Sequence, residues 1–238
     1  MNFIDDYTVL DLEMTGLSVK KDKIIEIGAI KVRNNEIVDT YKSFINPHVK
    51  LSKKIIDLTG IDDSMLSTAP EEDEAMYKLI DFVGEDCIIG QNIIFDYSFI
   101  KQWAVNKNVK LDLYYCDTLK IARELLPKDE KKDLENLCSF FNIKRENAHR
   151  ALDDSFETMQ VYEKLKQIAK NNNIEKLCFL PQKFNVKLKK QMLATKKQKE
   201  QLNRYLEMKN IEYEINWETL TRSEASRIMD KLYVKYGR

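Results

Sequence analysis

Carboxylates and a histidine occur in three short, well-separated motifs of this chain, VLDLEMTGL, QNIIFD and AHRALDD. The side chains concerned are those of Asp11, Glu13, Asp96, His149 and Asp154. Carboxylates are the ligands that hard divalent cations prefer, and an imidazole can accept a proton from an attacking water. If folding brings these groups together, the chemistry within their reach is the hydrolysis of a phosphodiester at a site with two cations.

The first motif lies on a strand predicted over residues 7–13. Asp11 and Glu13 are two residues apart, so both side chains leave the same face of that strand. Two adjacent carboxylates repel each other and are costly to bury, and a bound cation would offset both effects. The alternative is an edge strand with a solvated acidic face. Gly16 permits a tight turn that takes the chain out of the strand beside the carboxylates.

The other two motifs lie at predicted helix starts. Asp96 falls in the first turn of a helix predicted over 93–106, where the helix dipole favours a carboxylate in any case. His149 stands at the entry of a long helix predicted over about 149–170, and Asp154 follows by slightly more than one turn. Both side chains could therefore face one cleft, although a lone Asp or His at a helix start is more often structural.

The elements that must position these motifs alternate in a recognisable order. Three strands form a meander at the start, and two further strands then alternate with helices. This order predicts an α/β fold with a mixed five-stranded sheet, helices on its faces and a small helical unit after it. The predicted strands cover residues 7–13, 23–32, 36–45, 87–91 and 111–116. The predicted domains are residues 1–173, an irregular linker over 174–194, and a small helical basic module over 195–238.

The charge is unevenly distributed, although the formal net charge is zero. Residues 185–238 carry 13 Lys and Arg against 7 Asp and Glu, a surplus of six positive charges. This basic tail could attract the phosphates of a nucleic acid, or it could be an ordinary solvated surface. Thr221 and Glu224 have the spacing of a capping box, which predicts a helix from there to Tyr236.

Several other classes of protein are disfavoured by the sequence. The four cysteines are far apart, without a C-x-x-C pair, and predict no zinc site. There is no G-x-G-x-x-G motif or P-loop. No stretch approaches the ~18–20 apolar residues of a membrane span, and the N-terminus lacks a signal-peptide pattern. We therefore expect a cytoplasmic protein with reduced thiols and no membrane partner.

Taken together, the three motifs resemble those of the DnaQ-like 3′–5′ exonucleases, in the DEDDh subgroup. The first motif ends in T-G-L, as it does in that family. The third reads H-x-A-x-x-D in the family and is matched by His149, Ala151 and Asp154. The resemblance extends from about Tyr7 to Lys170 and implies a ribonuclease-H-like fold.

The resemblance also implies a role for each of the five candidate residues. Asp11, Glu13 and Asp154 would bind a divalent cation directly. Asp96 would assist through water, and His149 would act as the general base. The all-oxygen ligand set implies two divalent cations, Mg²⁺ or Mn²⁺.

The same resemblance implies a pocket for the end of a nucleic-acid strand. The residues expected to contact the substrate there are Met14, Thr15, Leu17, Asn92 and Phe95. Phe95 could instead belong to the core, and Asn92 could cap a helix. The chain departs from the family at Gln91, where His is frequent, and at Met14, where Thr is frequent. Neither departure removes a metal ligand, so they affect the expected substrate contacts and leave the catalytic residues intact.

The sequence therefore predicts a metal-dependent 3′–5′ exonuclease that degrades single-stranded nucleic acid, with DNA favoured over RNA, to nucleoside 5′-monophosphates. Its expected partners are the 3′ ends of DNA or RNA strands. One alternative is a proofreading subunit of a DNA polymerase in replication or repair, with the basic module as its docking element. Another is a catalytically inactive nucleic-acid-binding module, which the retention of every ligand and of the histidine disfavours.

Overall fold

The computed structural model describes residues 3–172, 176–213 and 215–238. The chain divides into two compact units. The first unit comprises Met1–Lys101 and Leu111–Val186, and the second comprises Gln102–Lys110 and Lys187–Arg238. Within the described ranges, no helix combines the length and apolar character that crossing a bilayer requires.

A mixed sheet forms the centre of the first unit, as predicted. Its strands are β1 (Tyr7–Met14), β2 (Ile24–Arg33), β3 (Glu36–Phe44), β4 (Ile88–Gly90), β5 (Tyr114–Asp117) and β6 (Gln182–Lys183), in the order β3-β2-β1-β4-β5-β6. The meander β1–β2–β3 is antiparallel, whereas β4 runs parallel to both β1 and β5. The carboxyl ends of β1, β4 and β5 therefore meet at one edge of the sheet.

Helices flank this sheet. They are α1 (Lys53–Thr59), α2 (Asp63–Leu66), α3 (Glu72–Val83), α4 (Ile94–Lys107), α5 (Thr118–Leu125), α6 (Leu134–Phe140) and α7 (Ala151–Asn171), with a 3₁₀ turn over Lys176–Phe179. The longest, α7, packs on β1 and β2. Its buried face includes Val161, Leu165 and Ala169, at spacings of four residues, and joins Val9 of β1 in one apolar core.

The sheet has six strands, so the predicted count of five was wrong. The sixth strand, β6, lies inside the segment predicted as a linker and pairs antiparallel with β5. Phe184, just after it, stacks on Tyr97 and Tyr115 with ring centroids 3.4 Å and 4.2 Å away. Phe179 is buried in the core. These aromatic side chains anchor the segment to the first unit, which extends to Val186. Residues 174–175 of the predicted linker, and residue 173 before it, lie outside the described residues.

The second unit contains α8 (Lys196–Met208) and α9 (Arg222–Tyr236), whose apolar faces share a core that includes Leu202, Leu220 and Leu232. The capping box of Thr221 and Glu224 is present, as predicted. The unit is larger than the predicted module, because the end of α4 belongs to it. There the Asn106 side chain accepts a hydrogen bond from the backbone N–H of Gln191 at 2.9 Å.

Candidate active site

The first two candidate carboxylates lie on β1, between β2 and β4. Asp11 and Glu13 are half-buried, and Leu12, which points to the opposite face, is buried. Glu13 lies directly opposite Glu26 of β2 in the antiparallel register. The strand therefore presents its acidic side chains close to the edge where the parallel strands end.

Close packing of α7 against β2 brings the third motif to the same edge. A Cβ atom on Gly28 would lie 2.1 Å from the carbonyl carbon of Ala151, so only glycine permits this approach. The Ser155 hydroxyl donates a hydrogen bond to the Gly28 carbonyl at 3.0 Å. As a result, the first turn of α7, with Asp154, lies beside β1.

Three of the candidate side chains form a compact cluster. One ligand atom each from Glu13, His149 and Asp154 lie within 4.8 Å of one another. Asp154 is buried, whereas His149 is exposed and its φ of 62° is left-handed. His149 precedes Arg150, the N-cap residue of α7, rather than beginning the helix as predicted. It lies outside the regular backbone, with its imidazole accessible to solvent.

Asp96 approaches the cluster from α4. It lies in the first turn of that helix, is 6% exposed, and accepts a hydrogen bond from the backbone N–H of Leu12 at 3.1 Å. Leu12 stands between Asp11 and Glu13, so this bond ties Asp96 to the middle of the acidic pair.

The concentration of carboxylates perturbs their protonation. Burial raises the pKa of Asp11 well above its usual value, and repulsion from Asp96, Asp154 and Glu13 raises it further. Burial, followed by repulsion from Asp154, raises the pKa of Glu13 to about 8. Burial also raises the pKa of Asp96 to about 7. A group of oxygen donors whose negative charges are mutually unfavourable is chemically suited to a hard divalent cation.

These shifts predict how pH affects the metal-free protein. The pKa of Glu13 is about 8 in the folded state, against an ordinary value of 4.5, so the folded state binds more protons between these pH values. The free energy of unfolding should therefore fall as pH rises from about 4.5 to 8. Adding Mg²⁺ should restore stability at the upper end, because the cation binds only the folded state. Thermal unfolding across this range, with EDTA or Mg²⁺, measures both effects.

Glu13→Gln is the matched variant, because it removes one titrating group while keeping the side-chain size. Its stability should depend less steeply on pH in EDTA. A metal-free wild-type protein whose stability rises over this interval would contradict the assignment of a crowded acidic site.

An ion pair that the sequence analysis missed holds the start of α7. The Glu26 side chain is fully buried and accepts bonds from Arg150 Nε at 3.1 Å and Nη2 at 2.9 Å. It also accepts a bond from the backbone N–H of Ala151 at 3.1 Å, which caps the helix from a neighbouring strand. A carboxylate within an apolar strand needs a partner when it is buried, and this requirement was the sequence signal for the ion pair.

Breaking this ion pair should destabilise the protein strongly. Arg150→Met would leave the buried carboxylate of Glu26 opposite Glu13, with Lys42 at 3.5 Å as its remaining ion-pair partner in the described part of the chain. We expect the free energy of unfolding in urea to fall by about 3 kcal/mol. The double variant Glu26→Gln/Arg150→Met removes the charge as well and should lose less. Equal losses in the two variants would show that the cost comes from packing alone.

Arg145 is a second residue that the sequence analysis did not identify. Its Nη2 atom lies 2.6 Å from Asp154 Oδ1 and its Nε atom 2.5 Å from Glu157 Oε2. Burial raises the pKa of Glu157 to about 7, an effect that Arg145 opposes. The guanidinium therefore holds the Asp154 carboxylate in place. Arg145 lies in the irregular segment before α7, where the sequence has no recognisable pattern.

The predicted substrate-contact residues differ in exposure and in hydrogen bonding. Leu17 is 81% exposed, and Met14 and Phe95 are half-buried. The Thr15 hydroxyl is used within its own loop, where it accepts a hydrogen bond from the Lys23 N–H at 3.0 Å. Asn92 is exposed and has a left-handed φ of 57°.

Comparison with known proteins gives consistent matches. The RNase_T family model, described as Exonuclease, matches residues 8–162, more than half of the chain. The DNA polymerase III PolC-type of Clostridium perfringens is 36% identical over 192 residues, which cover 79% of this chain and 13% of that protein. Its Bacillus subtilis counterpart is 36% identical over 174 residues, which cover 72% and 12%. The chain thus spans about one eighth of these relatives.

Solved structures share the fold at low sequence identity. The nuclease domain of 3′hExo, a DEDDh family member bound to rAMP, has a TM-score of 0.62 at 19% identity, covering 77% of this chain and 98% of that one. E. coli exonuclease I in complex with a dT13 oligonucleotide has a TM-score of 0.59 at 17% identity, covering 71% and 43%. The family model spans all three motifs, and the chain belongs to this exonuclease family, whose DnaQ-like members its motifs resemble.

Proposed function

We propose that this protein is a 3′–5′ exonuclease that hydrolyses single-stranded nucleic acid with the help of divalent cations and releases nucleoside 5′-monophosphates. The observation that carries the proposal is the convergence of Glu13, His149 and Asp154, with ligand atoms within 4.8 Å of one another. Acidic groups from the first and third motifs, together with an imidazole, thus meet at one edge of the sheet.

In this proposal, Asp11, Glu13 and Asp154 hold the cations, Mg²⁺ or Mn²⁺, two in number. Asp96 assists from a fixed position, because its carboxylate is bonded to the Leu12 N–H at 3.1 Å. When bound, such cations neutralise charge on the scissile phosphate and stabilise the attacking and leaving oxygens. The chain's own contribution is a preorganised acidic site whose unfavourable charge the cations compensate.

His149 acts in this proposal as the general base. It accepts a proton from the water that attacks the terminal phosphodiester, and its exposed imidazole gives it access to that water. The leaving group is the 3′-oxygen of the preceding nucleotide. Cleavage of the bond between this oxygen and phosphorus leaves the phosphate on the released nucleotide, as a 5′-monophosphate.

The strand end is proposed to rest on the apolar side chains beside the acidic cluster. Leu17, Met14 and Phe95 expose apolar surface on which a terminal base could stack, while Asn92 offers an amide for hydrogen bonding. Thr15 contributes through its position in the loop, since its hydroxyl is already bonded. DNA is the proposed substrate, because the relatives with about 36% identity are DNA polymerases.

The direct test is digestion of 5′-labelled single-stranded DNA and RNA of matched sequence, with Mg²⁺ or Mn²⁺ and with EDTA as the blank. We expect a ladder that shortens from the 3′ end, faster on DNA. Labelling the 3′ end instead should release a labelled mononucleotide from the start. Products that shorten from the 5′ end, or cleavage in EDTA, would refute the proposal.

The PolC-type relatives favour a second candidate function, proofreading for a DNA polymerase. A primer with a mismatched 3′ end should then be trimmed before extension when the protein and its cognate polymerase are mixed. Co-elution of the two proteins in size-exclusion chromatography would support this candidate. Equal trimming of matched and mismatched primers, with no co-elution, would favour a free-standing enzyme.

A further inference from the structure

A cavity of about 570 Å³ lies at the edge of the sheet where the parallel strands end. Gln91 and Asn92, which line it, directly follow β4, and Leu119 lies in the first turn of α5, just after β5. Ligands of open α/β sheets bind outside the carboxyl ends of the parallel strands. The acidic cluster lies at this edge beside β1, and the cavity lies at the same edge beside β4 and β5.

Hydrogen bonds hold the wall of the cavity that Gln91, Asn92 and Leu119 form. Asp117 Oδ1 accepts bonds from the backbone N–H groups of Asn92 at 2.9 Å and Leu119 at 3.0 Å. Gln91 donates through Nε2 to the carbonyl of Lys132 at 2.6 Å and accepts at Oε1 from the Thr118 hydroxyl at 2.5 Å. The wall is therefore a built surface.

Cations face this cavity from the chain after β5. Arg123, Lys128 and Lys132 line it, together with Glu130 and Asp133. Two of these five groups are already engaged. The Lys132 ammonium bonds the carbonyls of Pro127 and Glu130, and the Asp133 carboxylate caps α6 by accepting from the Asn136 N–H at 3.0 Å.

The remaining cations are available to an anionic ligand. Both Arg123 and Lys128 are exposed, and neither forms an ion pair with a carboxylate in the ranges that the structure describes. Glu130 is the single acid opposite them in the cavity that has no capping role. The balance of uncommitted charge is therefore positive, which suits phosphate.

The cavity is close to the candidate catalytic residues along the chain. Asn92, on its wall, lies two residues before the start of α4 and precedes Asp96 by four residues. Asp96 in turn is bonded to Leu12 between the two carboxylates of β1. A strand whose 3′ end lies on the acidic cluster could thus continue past Asn92 into the cavity.

We propose that this cavity binds the phosphodiester backbone of the nucleic-acid strand upstream of its 3′-terminal nucleotide, through Arg123 and Lys128. The proposal rests on the exonuclease function proposed above and specifies where its substrate extends. In this proposal, strands longer than one nucleotide owe their additional affinity to the cavity. Cleavage of a substrate with a single nucleotide would not use it.

The test compares two substrates with the double variant Arg123→Glu/Lys128→Glu. One substrate is a single-stranded oligothymidylate, and the other is the p-nitrophenyl ester of thymidine 5′-monophosphate. We expect kcat/KM on the oligonucleotide to fall at least tenfold, mostly through KM, while kcat/KM on the ester changes less than twofold. Equal losses on the two substrates, or no loss on either, would overturn the proposal.

The matched control is Lys164→Glu/Lys170→Glu, with the same charge change on α7. These residues lie 10 and 16 positions after Asp154, ~15 Å and ~24 Å along the helix axis. They should leave oligonucleotide cleavage within twofold of wild type. A loss as large as that of the cavity variant would mean that overall charge, and not the cavity, sets the affinity.

Binding in EDTA separates this proposal from the proposed activity. Fluorescence anisotropy of a labelled oligothymidylate, over a range of salt concentrations, requires no cleavage. Loss of two phosphate contacts should reduce the magnitude of the slope of log K against log salt by about 1.4 for a single strand. An unchanged affinity and slope in the cavity variant would refute the cavity assignment even if wild type is an active exonuclease. Failure of wild type to cleave either substrate would refute the proposed function alone.

Discussion

Asp154→Asn should reduce the release of nucleotides from a single-stranded oligonucleotide by ~10³-fold or more. The Asp154 carboxylate is buried and lies with Glu13 and His149 inside a 4.8 Å cluster, so its proposed role is to hold a cation. Loss of the cation's electrostatic stabilisation costs several kcal/mol in the transition state, and each 1.36 kcal/mol is tenfold in rate. Asparagine keeps the shape and removes the charge.

The matched control is Asp153→Asn, one residue earlier on α7. Adjacent residues point about 100° apart around a helix, so this change removes the same charge without altering the cluster. We expect it to retain nearly full activity. Mn²⁺ binding followed by calorimetry should be weakened in Asp154→Asn and unchanged in Asp153→Asn. Mg²⁺-dependent cleavage by Asp154→Asn within tenfold of wild type would remove Asp154 from the metal site.

Stability must be measured alongside, because Asp154 also accepts a bond from Arg145 at 2.6 Å. Substitution leaves this guanidinium with Glu157 as its remaining carboxylate partner. A variant that unfolds at the wild-type urea concentration but fails to bind Mn²⁺ has lost a ligand. A variant that unfolds at a lower urea concentration and is also inactive would have lost the folded start of α7.

The three motifs could be read from the sequence because local geometry determines their placement. Alternation along β1 puts Asp11 and Glu13 on one face, and His149 stands two residues before α7, whose first turn carries Asp154. The carboxyl ends of parallel strands share one edge, so Asp96, after β4, falls near the end of β1. Each of these relations spans few residues or follows from strand order.

The supports of the site were not predictable in the same way. Glu26 and Arg150 are 124 residues apart, and their pairing depends on how closely α7 approaches β2 at Gly28. Arg145 reaches Asp154 from an irregular segment that carries no periodic pattern. Such contacts are set by tertiary packing, and the sequence signals only that a buried charge needs a partner.

The boundary between the two units was missed for a related reason. β6 has two residues, too few for an alternating pattern, and aromatic stacking on Phe184 holds it in place. The end of α4 joins the second unit through Asn106, which no local signal marks. Deleting the whole second unit would therefore remove the end of α4 as well, and charge reversal on α8 is the cleaner test of the basic tail.

His149→Ala should lower turnover by ~10²–10⁴-fold, the usual contribution of a general base. The imidazole is exposed beside Glu13 and Asp154, and no other described histidine or cysteine belongs to this cluster. The carboxylates remain, so Mn²⁺ affinity and oligonucleotide binding in EDTA should stay close to wild type. The loss should thus appear in kcat, with KM little changed.

Two further variants separate the base from the backbone at this position. His149 has a φ of 62°, and His48, the other histidine, has a φ of 53° and bonds Glu71 at 2.8 Å. His48→Ala makes the same substitution at a residue whose φ is also left-handed, and it should leave turnover unchanged. His149→Asn tolerates the left-handed conformation but offers no basic nitrogen, so it should be as slow as His149→Ala. Recovery of turnover in His149→Asn would show that loop conformation, and not proton transfer, is what His149 supplies.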